Sequence, residues 1–375
     1  MIKQIQIKNL KSIHQSAPLN MVQLNLFTGV NGGGKSTFLQ ALLLLRQSYF
    51  NGNFFRRPAT LWLGNAPESL INVGTFSDIY HQNAKKSEGI SLGFTEDVYS
   101  FSFLTRPYEA GNTQNAIEGI LKSENDSWQN CKLFQSQGFQ YLSADRITPQ
   151  EDYPRFQDNE LLGKDGRFTA HYLEKYGSKP LAIEQLMHEK SDTKYDNSLI
   201  SQVNLWMRDI SPNILIKAKE NLSTNRVELS YSYFDAKGVP TKDRKPQNVG
   251  FGITPTLPIL VALLSASPGD LVLIENPEIH IHPKGQSRLG MLMAKAAQGG
   301  VQLLVETHSD HILNGIRVAT KKGWIDSENI NISYFTRSVD EVTTITSLKI
   351  DQKGRIDQWP SGFFDEWDNM LDELL

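Results

Sequence analysis

One cysteine, Cys131, is all that the 375 residues contain. A lone thiol can form no internal disulfide and no cysteine-rich metal site, and such usage suits a reducing compartment, so a cytoplasmic location is expected. Long apolar runs are missing as well. The longest, "ALLLL" and "LPILVALLSA", fall far short of the roughly 20 residues that a membrane-spanning helix needs, so no membrane partner is expected. The opening "MIKQIQIKNLKSI" alternates apolar and polar residues as a strand does and is not a signal peptide. Bulk charge of one sign is absent: 38 Lys and Arg face 41 Asp and Glu, a formal net charge of −3. No overall basic field advertises nucleic acid, while a local DNA-binding face stays compatible with that balance. No internal repeat or sustained heptad occurs, which excludes a solenoid and a long coiled-coil arm.

What is present begins at residues 28–39, "TGVNGGGKSTFL". The spacing Gly29-x-x-x-x-Gly34-Lys35-Ser36 is that of a phosphate-binding P-loop. Glycines let the backbone wrap closely enough for successive N–H groups to point at a β-phosphate. Lys35 brings a mobile positive charge toward the β- and γ-phosphates, and the Ser36 hydroxyl can ligate Mg²⁺. The flanks agree: residues 22–27 read as a strand, and 38–47 are strong helix formers whose positive end would face the phosphates. A merely flexible glycine-rich linker would need neither the lysine, nor the hydroxyl, nor both flanks. The expected ligand is a nucleoside triphosphate, held by Gly29, Val30, Asn31, Gly32, Gly33, Gly34, Lys35, Ser36 and Thr37.

Beyond residue 50 the pattern loosens. Short strand-like pieces, "GISLGF" and "VYSFSFL", stand among polar residues up to about position 140. Residues 153–245 mix helical stretches at 181–188 and 199–210 with strand candidates "NILIKAKE" and "RVELSYSYF", and close on a basic loop, "TKDRKPQN". From Val249 the pattern sharpens again. Gly250 and Gly252 run into an apolar helix, with Thr254 as its cap and Pro255 at the favoured first helical position. The apolar residues 271–274 end in Glu275, which predicts a buried parallel strand with a carboxylate at the tip where α/β sheets place ligands. A helix, "GQSRLGMLMAKAAQ", and a second buried strand, "VQLLVETHSDHIL", follow and deliver His308 to a neighbouring tip. Two more strands are expected at "NISYFTRS" and at 342–350.

Taken in order, the loop at 29–37, the glycine pair, "LVLIENPEIHIHP" and "LLVETHS" resemble the Walker A, signature, Walker B/D-loop and H-loop elements of ABC-type ATPases. The branch they resemble is the SMC/RecF/OLD-like group, often labelled AAA-ATPase, and the first strand, "IKQIQIKNLKSI", resembles that group too. The closing "WPSGFFDEW" at 359–367 is similar to the ending of some bacterial members. The resemblance implies an α/β fold: a P-loop NTPase of ABC ATPase type, with a mixed central sheet and an inserted α/β lobe. The implied division is a discontinuous head, 1–80 and 246–375, around a lobe at 81–245.

The resemblance further implies an ATP sandwich homodimer, in which one subunit's signature, with Gly250, Gly252 and Thr254, closes on the nucleotide of the other. It implies ATP and Mg²⁺ as cofactors, Ser36 and Glu275 as metal residues, and His308 as a γ-phosphate sensor. Asn276 stands where the group usually has the general base, and an amide cannot accept a proton; it can only orient water, as a glutamine does in some GTPases. Glu278 is the nearest spare carboxylate for that role. Slow turnover would follow if it does not serve.

Partners implied by the resemblance are a separate effector, such as a nuclease, or DNA, in a defence or repair system. About 65 residues follow His308, too few for the nuclease domain that OLD-type relatives append. A different class of reading is a nucleotide-gated clamp with almost no turnover, which Asn276 favours. A small-molecule kinase is opposed by the late Walker B position and the paired glycines.

The remaining polar candidates carry less. His280, His282, His308 and His311 could be metal ligands, but no third and fourth ligand with suitable spacing stands beside them. His14, His81, His171 and His188 read as ordinary surface or core histidines. Asp145-Arg146, after a strand-like run, reads equally as a nucleotide-facing pair or a surface ion pair. Residues 74–79 and Gln82 are candidates for the loop linking nucleotide to lobe. The basic run 242–245 reads more readily as a solvated loop than as a DNA contact.

Overall fold

The opening alternation folds into strand β1 (Ile2–Leu10), which buries Ile2, Ile5 and Ile7 and turns Lys3, Gln4 and Gln6 to water. A bulge between Ile2 and Gln4 produces the three-residue step between the first two buried isoleucines. The computed structural model describes residues 1–108, 115–124, 127–156, 162–192, 196–338 and 342–374. After β1 come β2 (Ile13–Gln15), β3 (Leu19–Asn20), β4 (Leu24–Gly29) and helix α1 (Lys35–Phe50). Then follow β5 (Ala59–Trp62), the single turn α2 (Phe76–Ile79), β6 (Ser91–Glu96), β7 (Tyr99–Thr105) and β8 (Ala116–Ser123). The order β2-β1-β6-β7-β8-β5 makes an antiparallel sheet, with β3 also on β1. Helix α1 buries Leu42, Leu43 and Leu44 alike, as a helix inside a core must. Its Arg46 is buried too, donating to the carbonyls of Leu133 (2.5 Å) and Gln135 (2.9 Å).

A second compact unit begins at Ser136 and runs to Ile330, with Ile350–Ile356 added. It contains β9 (Phe139–Leu142), α3 (Thr169–Tyr176), α4 (Leu199–Ile210), β10 (Ile214–Asn221), β11 (Arg226–Tyr233), α5 (Ile253–Leu264), β12 (Leu271–Glu275), α6 (Pro283–Gln298), β13 (Gln302–Glu306) and α7 (Asp310–Lys321). Strands β13, β12 and β9 lie parallel in that order, and β10 and β11 form an antiparallel pair. The register Glu275↔Glu306 sets two strand tips side by side. The chain then returns to the first unit as β14 (Ile330–Arg337), β15 (Thr343–Leu348) and α8 (Glu366–Leu374). There β14 lies between β15 and β4, and Phe335 packs edge-on against Phe27 and Phe38.

Most expected elements are present, and 199–210 is helical over its whole predicted length. One is not. Residues 181–188 hold only a 3₁₀ turn, Glu184–Leu186, because their backbone groups are taken by side chains from elsewhere. Trp206 Nε1 donates to the Leu186 carbonyl, Lys295 Nζ to that of Met187, and His188 N to Gln202 Oε1. The segment 81–245, expected as one lobe, is divided between the two units: β6 pairs with β1, whereas β9 pairs with β12. Among the described residues no helix is long and apolar enough to cross a membrane.

Helices α6 and α7 approach through reciprocal glycines. A Cβ on Gly290 would stand 2.3 Å from the Ile312 carbonyl oxygen, and one on Gly315 2.1 Å from that of Ser287. Gly315→Ala is therefore expected to cost about 1–3 kcal/mol by overpacking. Chemical denaturation reads this as a lower midpoint with unchanged slope; an unmoved midpoint would mean that the helices separate freely.

Candidate functional site

The P-loop lies in the first unit. Between β4 and α1 the backbone takes positive φ at Gly29 (134°), Gly32 (74°) and Gly34 (100°), which glycine adopts without strain. Gly29 has a second reason to lack a side chain: a Cβ there would sit 2.0 Å from the Phe335 carbonyl oxygen. Val30 N donates to that same oxygen (3.2 Å), and Gly33 N donates to Val30 O (3.1 Å), which closes the loop. Val30, Asn31 and Gly32 are exposed, while Thr37 is buried in the first turn. No side chain caps α1 and no acid occupies its first turn, so its N-terminal end suits an anion. Buried Lys35 arches over the loop, its Nζ donating to the carbonyls of Gly29 (3.0 Å) and Val30 (2.8 Å). Half-buried Ser36 follows, with a hydroxyl of the kind a divalent cation takes.

Two residues that sequence reasoning missed buttress this loop. Thr343 Oγ1 donates to the Gly33 carbonyl (3.0 Å) and lies 2.9 Å from Ser12 Oγ. No local pattern could reveal a contact between residues so far apart in the chain.

The second unit gathers the acids and His308. Glu275 stands half-buried at the end of β12, its Oε1 accepting from the Tyr141 hydroxyl (3.1 Å) and its Oε2 from Ala144 N (3.3 Å). Burial first, and the Glu275 charge second, hold the Tyr141 phenol above its ordinary range, so it remains a donor. Asn276 is left-handed, with φ of 42°, and its N donates to the Glu306 carbonyl (2.8 Å). Asparagine enters that region more readily than glutamate, which gives a backbone reason for the amide at this position. Its Oδ1 is buried with no hydrogen-bond partner among the described residues. Glu278 reaches the next tip: Oε1 accepts from His308 N (2.7 Å) and Oε2 from Thr307 Oγ1 (2.8 Å). A carboxylate has about four acceptor sites, so these two bonds leave capacity for a water. The His308 ring is exposed, and Ser309 behind it caps α7 by accepting from Ile312 N.

The glycine pair differs from its expectation. Helix α5 begins at Ile253 with Gly252 as N-cap, two residues before the predicted cap. Thr254 is fully buried, with its hydroxyl 3.3 Å from that of Tyr231, so it neither caps the helix nor faces a ligand. The two glycines also differ from each other. A Cβ on Gly252 would stand 2.0 Å from the His280 carbonyl oxygen, whereas one on Gly250 would meet only Ile253 at 3.8 Å. Between them Phe251 is half-exposed and edge-on to the His280 ring, 4.8 Å away. Gly252 is thus a packing glycine, and Gly250 faces open space.

The other candidates resolve locally. Among the described residues no three His, Cys, Asp or Glu side chains cluster for a metal, and His282 caps α6. Residues 74–79 form a capping box between Thr75 and Asp78. In the basic run, Lys245 pairs with Glu151 and Asp243 with Lys217, as a solvated loop would. Asp145-Arg146 is no surface pair: Asp145 is exposed, whereas Arg146 is buried and donates to four main-chain carbonyls.

Comparisons with known proteins bear on the family and the fold. A family model described as "AAA domain, putative AbiEii toxin, Type IV TA system" matches residues 122–314, and one described as "Protein of unknown function (DUF3696)" matches 325–374. The uncharacterized protein MJECL10 of Methanocaldococcus jannaschii is 30% identical over 132 residues, a match covering 34% of this chain and 57% of that relative's length. Among solved structures, an SMC head bound to the C-winged helix domain of ScpA superposes with a TM-score of 0.52 at 13% identity, over 94% of this chain and 98% of that one. An Smc head with an extended coiled coil, bound to the C-terminal domain of ScpA derived from Pyrococcus furiosus, gives 0.50 at 10% identity, over 100% and 99%. The chain therefore has the P-loop ATPase fold of SMC heads.

The unequal glycines make a direct test. Gly252→Ala is expected to cost about 1–3 kcal/mol by driving its methyl into the His280 carbonyl, while Gly250→Ala should change stability by no more than about 0.5 kcal/mol. Thermal unfolding of the two variants measures the difference, and equal losses would show that the His280 contact yields.

Proposed function

This chain belongs to the family described as "AAA domain, putative AbiEii toxin, Type IV TA system", and from that premise we propose that it binds ATP with Mg²⁺ and hydrolyses it slowly. Nucleotide-dependent dimerisation would then control a separate effector protein or a DNA transaction in defence or repair. The observation that carries this reading is the glycine loop at 29–34, which curls under Lys35 at the uncapped start of α1. Backbone N–H groups there would hold a β-phosphate, and Lys35 would exchange two loop carbonyls for phosphate oxygens. Ser36 and Glu275 are the proposed Mg²⁺ residues, each with the hard oxygen that the ion prefers, and the ion when bound would offset phosphate charge. Glu278, at hydrogen-bond distance from the His308 backbone, would accept the proton of the attacking water. His308 would then stand by the γ-phosphate. Gly250, open at the start of α5, would face the nucleotide of a second subunit, which a two-fold arrangement would bury along with its own.

Solved Smc heads of like fold are bound to domains of ScpA, a precedent that supports a protein partner here. A clamp with little turnover is the second reading, favoured by the amide at Asn276. Release of phosphate at saturating ATP separates the two.

Lys35→Ala is expected to weaken ATP binding by about 1.5–3 kcal/mol, or roughly ten- to hundredfold in Kd. Isothermal titration with a slowly hydrolysed analogue checks it, and an unchanged Kd would end the P-loop assignment.

Glu278→Gln should slow hydrolysis by roughly 10²-fold or more while nucleotide binding holds. A rate within twofold of wild type would place the base elsewhere.

For the dimer, Gly250→Asp sets a negative charge in the open position without the clash that any side chain brings at Gly252. It should block ATP-dependent association in analytical ultracentrifugation and leave ATP binding intact. Wild type that sediments identically with and without ATP would rule out the sandwich.

A further inference from the structure

Arg146 does something the function described so far does not use. Its Nη1 donates to the carbonyls of Ser143 (2.8 Å) and Glu275 (2.7 Å), Nη2 to that of Asn276 (2.7 Å), and Nε to that of Pro255 (3.2 Å). Those carbonyls belong to three segments: the loop after β9, the turn at the tip of β12, and the first turn of α5. Arg146 is only 6% exposed, so these bonds stand in for water. Burial pulls the group down and the charges of Glu278 and Glu275 favour the cation, but all four of its hydrogen bonds go to the main chain. A planar fork with five donors can serve four carbonyls on three segments at once, and a lysine ammonium, with three donors on one nitrogen, cannot make all four bonds.

Strand β9 and the loop after it also hold the Glu275 side chain, through the Tyr141 hydroxyl and Ala144 N. Residues 141–146 therefore grip Glu275 at both its carboxylate and its carbonyl. They reach α5 in the same stroke, at a helix whose start carries the open Gly250.

We infer that Arg146 is a positioning residue that locks the β12 turn to the start of α5, so that the metal-facing carboxylate and the partner-facing signature of one subunit move as a single body. The inference deepens the ATPase reading and rests on it for its functional meaning. The coupling route is a continuous set of hydrogen bonds, with no gap to be bridged by proximity alone.

Amide hydrogen exchange tests the lock without nucleotide. In Arg146→Lys, peptides covering 250–257 and 274–281 should exchange at least tenfold faster together, with the P-loop peptide unchanged. In the same variant kcat should fall tenfold or more while the ATP Kd and the binding stoichiometry stay within twofold; general loss of folded protein would lower the stoichiometry along with kcat. Loosening of only one of the two segments, or a loss confined to KM, overturns the lock. If the variant does not fold, wild-type exchange measured against denaturant decides: locked segments open with one shared free energy, and two distinct values refute the inference. Segments that loosen together in a chain that neither binds nor hydrolyses ATP would leave the lock standing and discard the ATPase reading.

Discussion

Arg146 is out of water, and each donor of a buried guanidinium left unmet costs about 1–3 kcal/mol or more. Its four bonds fix where three stretches of chain must stop: the loop at Ser143, the strand tip at Glu275 and Asn276, and the helix turn at Pro255. The left-handed backbone of Asn276 follows from the same arrangement, since it turns that residue's carbonyl toward the guanidinium while its N–H still serves the Glu306 carbonyl. The first unit uses a related device. Arg46, inside α1, donates to the carbonyls of Leu133 and Gln135. Burial pulls both groups down, Arg46 to about 9 and Arg146 to about 10, which still leaves them charged at neutral pH.

The acids divide by what holds them. Glu275 receives a phenol from β9 and one backbone N–H from the loop after it, whereas Glu278 receives a hydroxyl and a backbone N–H from the tip of β13. Parallel pairing of β12 with β13 makes this possible, because it brings both carboxyl ends to the same edge. Each acid is thus oriented by the neighbouring strand and not by its own.

Much of this could be read in advance. The P-loop is legible because Gly29, Gly32 and Gly34 answer to local backbone geometry, and the strand tips because buried parallel strands are written as unbroken apolar runs. Helix α4 is legible from its own periodicity, while 181–188 is not a helix because Trp206, Lys295 and Gln202 take its backbone groups from a distance. The start of α5 departs from its sequence expectation for a similar reason: Thr254 has the chemistry of a cap, but its hydroxyl is buried against Tyr231 on β11. What Arg146 and Thr343 bind lies beyond sequence reasoning, since most of their partners are far away in the chain and are main-chain atoms or small hydroxyls that leave no pattern.

The contact between Gly252 and the His280 carbonyl has a genetic consequence. Two loops that touch with no room for a methyl group cannot be altered one at a time, so a lesion in either distorts both. In the proposed two-fold assembly each shared nucleotide would be closed by loops from both chains. A defective copy co-expressed with an intact one would then spoil both sites of every mixed pair, and such alleles would behave as dominant rather than recessive.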